Sequence, residues 1–307
     1  MPALLKSQSV LYSILSGVNG HDRDQYLEFD EPTHKYTITN DPDSNYTSVT
    51  TFNHKQFPQF DADAIIAKMM KGRNWNPKHK YWGKSPQEIK DGWSKSGAEA
   101  SGAGTDMHFD IECFMNQEVV DEDDKPIRYT HEELLKIYDE EILDGIPPPN
   151  LSVEWQYFLQ FARAFPELKP YRTEWMVYHE ELKLAGSIDM VYENPDGSLS
   201  IYDWKRSKEI SKTNGFKKYA LNPCIDYLPD TNYWHYSLQL NTYKAILEAK
   251  YGKKVTDLYL VRLHPNNEYK TFQLLKCVDM SNEVADLFAF RKQELLDEKV
   301  SPNNDTN

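Results

Sequence analysis

Three cysteines in 307 residues, Cys113, Cys224 and Cys277, are too few and too scattered to staple a fold. An odd, widely spaced set offers no disulfide framework and no CxxC pair, which points to a reducing, intracellular setting whose compartment stays open. Three thiols also cannot furnish the four ligands of an iron–sulfur cluster. Long apolar runs are missing too. Nothing approaches the ~18 residues that span a bilayer, so the chain reads as soluble and no membrane partner is expected. The opening "MPALLKSQSVLYSILSGV" holds one lysine and no arginine, unlike a transit peptide, and lacks a signal peptide's apolar stretch. Residues 1–20 are therefore expected to be an N-terminal segment that docks as a helix or frays. Bases are the minority, 35 against 48 acids, for a net charge of −13. That balance speaks against a general polyanion binder, although an average can hide a local basic patch.

What the chain has in quantity is aromatic side chains, 13% of residues with 20 Tyr and 7 Trp, enough for a core built from large rings. "YLEFDEPTHKYTI" alternates around Glu-Pro and predicts an early hairpin; "SVTTF" is a short strand or a helix entry. "ADAIIAKMMKG" predicts a helix ending at Gly72. In "NWNPKHKYWGKSP" Lys78, Lys80 and Lys84 interleave with Trp75, Tyr81 and Trp82, a pattern that fits either aromatic loop packing or a nucleic-acid contact. "GTDMHFDIECFMN" predicts a helix with an apolar stripe of Met107, Ile111, Phe114 and Met115. An acidic insertion over about 118–145, with "DEDD" at 121–124, is read as a solvated stretch around one amphipathic helix.

"VEWQYFLQFARAF" places Trp155, Phe158, Leu159, Ala162 and Phe165 on one helical face. Three strands follow, "YRTEWMVYH", "LKLAGSIDMVYE" and "SLSIYDWK", the last two joined by a hairpin at Asp196-Gly197. "WHYSLQLNTYKAILEAKYG" is a helix stopped by Gly252, "VTDLYLVRLHP" a fourth strand and "EVADLFAFRKQELL" a closing helix. This order predicts one α/β domain over 21–296, a central mixed β-sheet flanked by helices, with an α-helical N-terminal elaboration. The part of it that carries the motifs below is expected over about 98–296, and 297–307 is expected to be a disordered tail.

Eight triplets in the chain read acid-x-Lys: Glu88-Lys90, Asp123-Lys125, Glu167-Lys169, Glu181-Lys183, Glu248-Lys250, Glu268-Lys270, Asp297-Lys299 and Asp203-Lys205. The last stands apart because it ends an apolar strand and leads into a basic run. Alternation puts Asp203 and Lys205 on one face with Trp204 turned away. If the register runs through Asp196-Gly197, Asp189 on the preceding strand falls beside Asp203. Two carboxylates and a lysine inside an apolar sheet require compensation, and a divalent cation with hard oxygen ligands, Mg²⁺ or Mn²⁺, supplies it. A buried Asp–Lys pair beside a backbone-bound Asp is the plainer alternative. His108 with Glu112 one helical turn on, and Gln239 with Tyr243 at i and i+4, add polar pairs that can face the same place.

"GTDMH", "AGSIDMVYE", "IYDWK" and "QLNTY" together resemble, in order and spacing, the RecB-type branch of the PD-(D/E)xK nucleases. That branch includes RecB nuclease domains and the mitochondrial genome maintenance exonuclease. The resemblance runs from about Gly104 to Leu263 and implies a restriction-endonuclease-like core. It also implies divalent-metal hydrolysis of DNA phosphodiester bonds, often from ends, in DNA repair, recombination or replication. It would make His108, Asp189 and Asp203 metal ligands, with the Trp204 carbonyl as a further oxygen, and Lys205 the group that orients or helps deprotonate the water. Glu174 and Glu112 would be supporting carboxylates, and Gln239 and Tyr243 would support the site and the DNA backbone. Ile188 stands where the motif has its literal Pro, and the cysteines of iron–sulfur relatives are missing, so no iron–sulfur cluster is expected. The run "KRSKEISKTNGFKK" carries Arg206, Lys208, Lys212, Lys217 and Lys218 beside this triplet and is read as a DNA-tracking rim.

The leading expectation is thus a metal-dependent DNA nuclease, an exonuclease on single-stranded DNA or DNA ends. An RNA endonuclease with the same site, and a non-catalytic module binding nucleic acid or protein, are the alternatives; protein partners stay open.

Overall fold

The computed structural model describes residues 14–117, 129–215 and 217–300, with no side-chain description at 299 and 300. The segment 118–128, and with it the acidic run at 121–124, lies outside the described residues, as do most of the expected N-terminal segment and the tail from 301. A short helix α1 (Ile14–Val18) leads to the hairpin β1 (Leu27–Asp30) and β2 (Lys35–Ile38), which pair from Leu27↔Ile38 to Asp30↔Lys35. Strand β3 (Thr47–Ser48) runs straight into helix α2 (Val49–His54), with the Ser48 hydroxyl accepting from Thr51 N as N-cap. Helix α3 (Ala62–Met70) follows.

Helix α4 (Pro86–Met115) is far longer than the segment expected from the sequence. Its start is built by local chemistry: Ser85 and Glu88 form a reciprocal capping box and Pro86 sits at N1, where its missing N–H costs nothing. The middle, rich in Gly and Ser, has poor helix propensity, which is why the sequence reading found only the apolar last third. Helices α5 (His131–Leu143) and α6 (Val153–Ala164) come next. In the described part of the acidic stretch α5 is amphipathic, as expected, and buries His131, Leu134, Leu135 and Tyr138.

The central sheet is assembled from β4 (Lys169–His179), β5 (Leu184–Glu193), β6 (Leu199–Lys205), β7 (Val255–Arg262) and β8 (Gln273–Lys276). It is mixed. β5 is antiparallel to β4 and β6, β6 is parallel to β7 across helix α7 (Asn232–Lys250), and β8 returns antiparallel to β7. The two-residue β3 joins β5 in parallel at Leu184 and Ala185. The hairpin turns at Gly197 (φ +78°), as its Asp-Gly pair predicts, and Gly252 (φ +61°) follows the end of α7. Strand β8 has no counterpart in the sequence reading; it is four half-exposed residues after an irregular loop.

One sheet face packs on α2, α7 and the closing helix α8 (Ser281–Val300), through Phe52, Trp175, Ile201, Leu240, Ile246, Leu260 and Leu287. The other packs on the last turns of α4 and on α5 and α6, through Ile111, Phe114, Leu134, Trp155, Phe158, Met190 and Trp204. The result is a mixed α/β sheet flanked by helices, consistent with a restriction-endonuclease-like core. Among the described residues no helix is long and apolar enough to cross a membrane.

Two consequences can be measured. A Cβ added at Gly97, mid-helix in α4, meets nothing within 4 Å. Gly97→Ala is therefore expected to raise unfolding free energy in urea by about 1 kcal/mol. His131 is fully buried: its Nδ1 donates to the Phe165 carbonyl (3.0 Å) and its Nε2 accepts from the Tyr192 hydroxyl (2.8 Å). Burial, only partly opposed by backbone bonding, pushes its pKa down to about 4. The unfolded histidine takes a proton near pH 6.5 and the folded one does not. Stability linked to it is therefore complete above about pH 6.5 and falls as pH drops towards 4, by up to roughly 3 kcal/mol. Urea titrations across that window should show a shallower pH slope in His131→Gln than in the wild type.

Candidate active site

The site lies where the sheet splits. Along one edge β5 pairs with β4 for nearly its whole length. Its other edge is shared: β6 takes Met190 to Glu193 and β3 takes Leu184 and Ala185, so Gly186 to Asp189 have no strand beside them there. Beyond Tyr202, β6 continues against β7 alone. Backbone groups exposed by such a parting must find partners if they are buried. The Trp204 N–H donates to Asp189 Oδ2 (3.0 Å), and the Trp204 carbonyl accepts from His108 Nε2 (2.9 Å). Because a carbonyl only accepts, Nε2 carries the hydrogen. Nδ1 is turned towards Asp189 Oδ2 (3.6 Å) and Glu174 Oε1 (3.8 Å).

Side-chain alternation also breaks at this point. Ile188 and Met190 are two apart on β5 yet belong to opposite cores. Opposite them on β4, Glu174 has φ +41°, left-handed backbone that costs a non-glycine residue about 1 kcal/mol or more. The Ser187 hydroxyl donates to Glu174 Oε2 (2.9 Å) and helps fix that carboxylate. The outcome is a tight donor group: ligand atoms of His108, Glu174 and Asp189 all lie within 4.8 Å of one another. Glu174, a supporting residue in the sequence reading, is thus in the centre of the cluster. Asp203 is not part of that group.

Asp203 is 3% exposed, and its Oδ2 lies 2.7 Å from Lys205 Nζ. The contact is a buried ion pair in which the ammonium donates to the carboxylate. Lys205 Nζ also sits 4.4 Å from the centre of the Tyr236 ring, which favours a cation there. The electrostatics follow from burial and crowding. Burial opposes the charge on Lys205, but Asp203 and Asp189 more than offset it and hold the amine protonated. Burial, together with Asp189, raises the Asp203 pKa against the pull of Lys205. Burial raises the Asp189 pKa as well, helped by Glu174 and opposed by His108. Burial disfavours charge on His108, but Asp189 and Glu174 prevail and lift it to about 9. Glu112, one turn along α4, is pushed up to about 7 by burial and by Glu174.

Three carboxyls driven towards protonation around one lysine and one histidine describe a site short of positive charge. A divalent cation fits it: the donors are carboxylate oxygens plus one imidazole nitrogen.

Helix α7 lines the site with Tyr236, Gln239 and Tyr243. Gln239 hydrogen-bonds Tyr243, whose buried hydroxyl is pushed well above its ordinary pKa, first by desolvation and then by neighbours including Asp189 and Asp203. A Cβ built on Gly186 would lie 2.7 Å from the Tyr243 hydroxyl oxygen, so this strand approaches the tyrosine only because residue 186 has no side chain. Tyr36, on β2, bonds the Ser187 backbone and feels the charge of Glu174. Sequence reading missed Tyr36, Gly186 and Tyr236. Tyr236 was findable, being three residues before Gln239 and seven before Tyr243 on one helix face. Tyr36 carries no such signal.

The basic run leaves the site along the loop from β6 to α7. Lys208, Lys212, Lys217 and Lys218 are exposed. Arg206 differs: its Nε donates to the buried Glu154 (2.7 Å), which commits this guanidinium to anchoring the root of the loop.

Comparison with known proteins adds three findings. A family model described as the PD-(D/E)XK nuclease superfamily matches residues 87–306. Among solved structures, the chain is similar to that of a candidate exonuclease from Eubacterium rectale, at 14% sequence identity and a TM-score of 0.31, over 82% of this chain and 79% of that one. A search of curated proteins finds no match.

The contact at residue 186 sets a test. Gly186→Ala forces its methyl against a rigid, buried ring, so thermal unfolding should report a loss of about 1–3 kcal/mol. Tyr243→Phe removes the nearest clashing atom but leaves a ring carbon at 2.9 Å, so in that background Gly186→Ala should cost less than it does in the wild type; an equal cost in both backgrounds would show that the strain lies elsewhere.

Proposed function

Because the chain belongs to the PD-(D/E)XK nuclease superfamily, we propose that it is a divalent-metal-dependent deoxyribonuclease of the RecB-type branch, acting as an exonuclease on single-stranded DNA or DNA ends. The observation that carries this reading is the meeting of Asp189, Lys205-paired Asp203, Glu174 and His108 at the parting of β5 and β6. His108, Glu174 and Asp189 would hold Mg²⁺ or Mn²⁺, with Asp203 and the Trp204 carbonyl as further oxygens. When bound, such an ion neutralises charge on the scissile phosphate and makes water a competent nucleophile at neutral pH.

The chain's own residues supply the rest. Lys205 is held protonated by Asp203 and Asp189, so it acts as a fixed donor. It orients the attacking water and offsets negative charge that builds on the phosphate in the transition state. An amine already protonated cannot take the water's proton, which must pass to a carboxylate or to solvent. Tyr236 keeps the ammonium in place from its ring face. Gln239 and Tyr243 brace β5 under Asp189, and Arg206 fixes the start of the basic loop through Glu154. Lys208, Lys212, Lys217 and Lys218 would then follow the phosphates of the strand leading into the site.

End-labelled linear DNA should be degraded in Mg²⁺ or Mn²⁺ and spared in EDTA. Asp203→Ala and Lys205→Ala should each lower the rate by about a hundredfold or more. Wild-type rates in both variants would remove these residues from the mechanism. Matched linear and circular single strands, run beside RNA oligonucleotides, test the finer reading: cutting of circles overturns the requirement for ends, and cutting of RNA alone overturns the choice of DNA.

A further inference from the structure

The chain's charge is distributed unevenly. Residues 68–95 contain seven lysines and one arginine against only Glu88 and Asp91, within a chain of net charge −13. This stretch comprises the end of α3, an irregular loop and the first turns of α4. Lys90 is taken up by Asp63 (2.5 Å), but among the described residues no carboxylate comes within salt-bridge reach of Lys78, Lys80 or Lys84.

A charge run on its own is ordinary solvated surface. Here it is interleaved with an aromatic ladder: Trp75 stacks at a tilt on Trp82 (5.7 Å) and on His79 (4.9 Å), and Tyr81 meets Trp93 edge-on (6.0 Å). The Trp93 indole N–H donates to the Tyr81 hydroxyl (2.9 Å), and Phe60 packs on Trp93 (6.0 Å). These rings do not form a core. Trp82 is 46% exposed and Phe60 73%, while the fully buried apolar side chains of α3 and the start of α4 are only Ile66 and Ile89. The ladder holds its rings in place and leaves faces open to water, an arrangement with a cost unless something covers them.

The same helix joins this arm to the candidate site. From Trp93 to His108 is fifteen residues of α4, about 22 Å along its axis. The intervening residues are mainly Gly, Ala and Ser, and a Cβ at Gly97, Gly102 or Gly104 would meet nothing within 4 Å.

We propose that the Trp75–Trp82–Trp93 arm is a second contact for an unpaired nucleic-acid strand, stacking bases on its exposed rings and seating phosphates on Lys78, Lys80 and Lys84. Every base presents a π-face, so the contact is indifferent to sequence, and a duplex, whose faces are already stacked, gains little from it. The assignment rests on the nuclease reading for why a strand is present, but its test does not depend on cutting.

Affinity is measured in EDTA with the full chain and a long fluorescein-labelled oligo(dT), with a blunt duplex of equal length as comparison. Trp82→Ala is expected to weaken oligo(dT) binding about tenfold. The triple variant Lys78→Glu/Lys80→Glu/Lys84→Glu should lower the slope of log affinity against log salt by about 2, for three phosphates released. Neither change should weaken duplex binding comparably, and circular dichroism melts should match the wild type. Wild-type affinity for oligo(dT) in both variants overturns the proposal, as does an equal loss on duplex. If the wild type cuts no nucleic acid while these losses occur, the nuclease reading falls and the arm stands; if it cuts DNA and both variants bind normally, the arm falls and the nuclease reading stands.

Discussion

The geometry of the candidate site depends on one constraint: a buried peptide group must be hydrogen-bonded. Where β5 and β6 separate, the Trp204 amide and carbonyl lose the strand that would have paired them, and side chains from β5 and α4 take its place. Asp189 and His108 are therefore fixed by the backbone they satisfy as well as by their neighbours. Leaving either group of Trp204 without a partner would cost about 1–3 kcal/mol. The separation of the strands and the placing of the polar side chains are two aspects of one requirement.

The second determinant is crowding of like charge in a dry place. Glu112, Glu174, Asp189 and Asp203 converge on one lysine and one histidine, and burial raises the pKa of Glu112, Asp189 and Asp203. The cations respond in the opposite sense, His108 rising to about 9 and Lys205 staying charged. Such a set is poorly compensated by its own members, which is what gives it appetite for a further positive charge. The surrounding α/β frame tolerates the strain because both sheet faces are covered by dense aromatic and aliphatic cores.

Much of this was legible in the sequence, for reasons that differ by element. The β5–β6 hairpin could be aligned because Asp196-Gly197 fixes its turn, and with it the register that puts Met190 opposite Tyr202. Helix α7 was legible from its length and its glycine stop. The extent of α4 was not, since a capping box at Ser85 sits upstream of four glycines that argue against a helix. Glu174 was placed on its strand and beside the site as a supporting carboxylate, but not among the innermost donors, because a left-handed residue in a strand leaves no period-two mark. Tyr36 comes from a hairpin some 150 residues away in sequence, and only tertiary structure brings it near Ser187. The fate of Arg206 depended on Glu154, a residue that reads as an ordinary first-turn helix acid.

Trp204 belongs to two compartments at once. Its backbone secures Asp189 and His108, while its indole points to the opposite face and meets Phe158 and Phe161 edge-on at 5.7 and 5.5 Å. The strand thus acts as a mechanical linkage through the sheet. A packing defect at Phe158 or Phe161 on α6 would therefore be felt at the peptide that holds the polar cluster, although neither ring touches a carboxylate. Random mutagenesis selected for lost function would accordingly return core substitutions in α6 alongside those in the cluster, and the two groups would be told apart by whether a second, compensating change in ring size restores function.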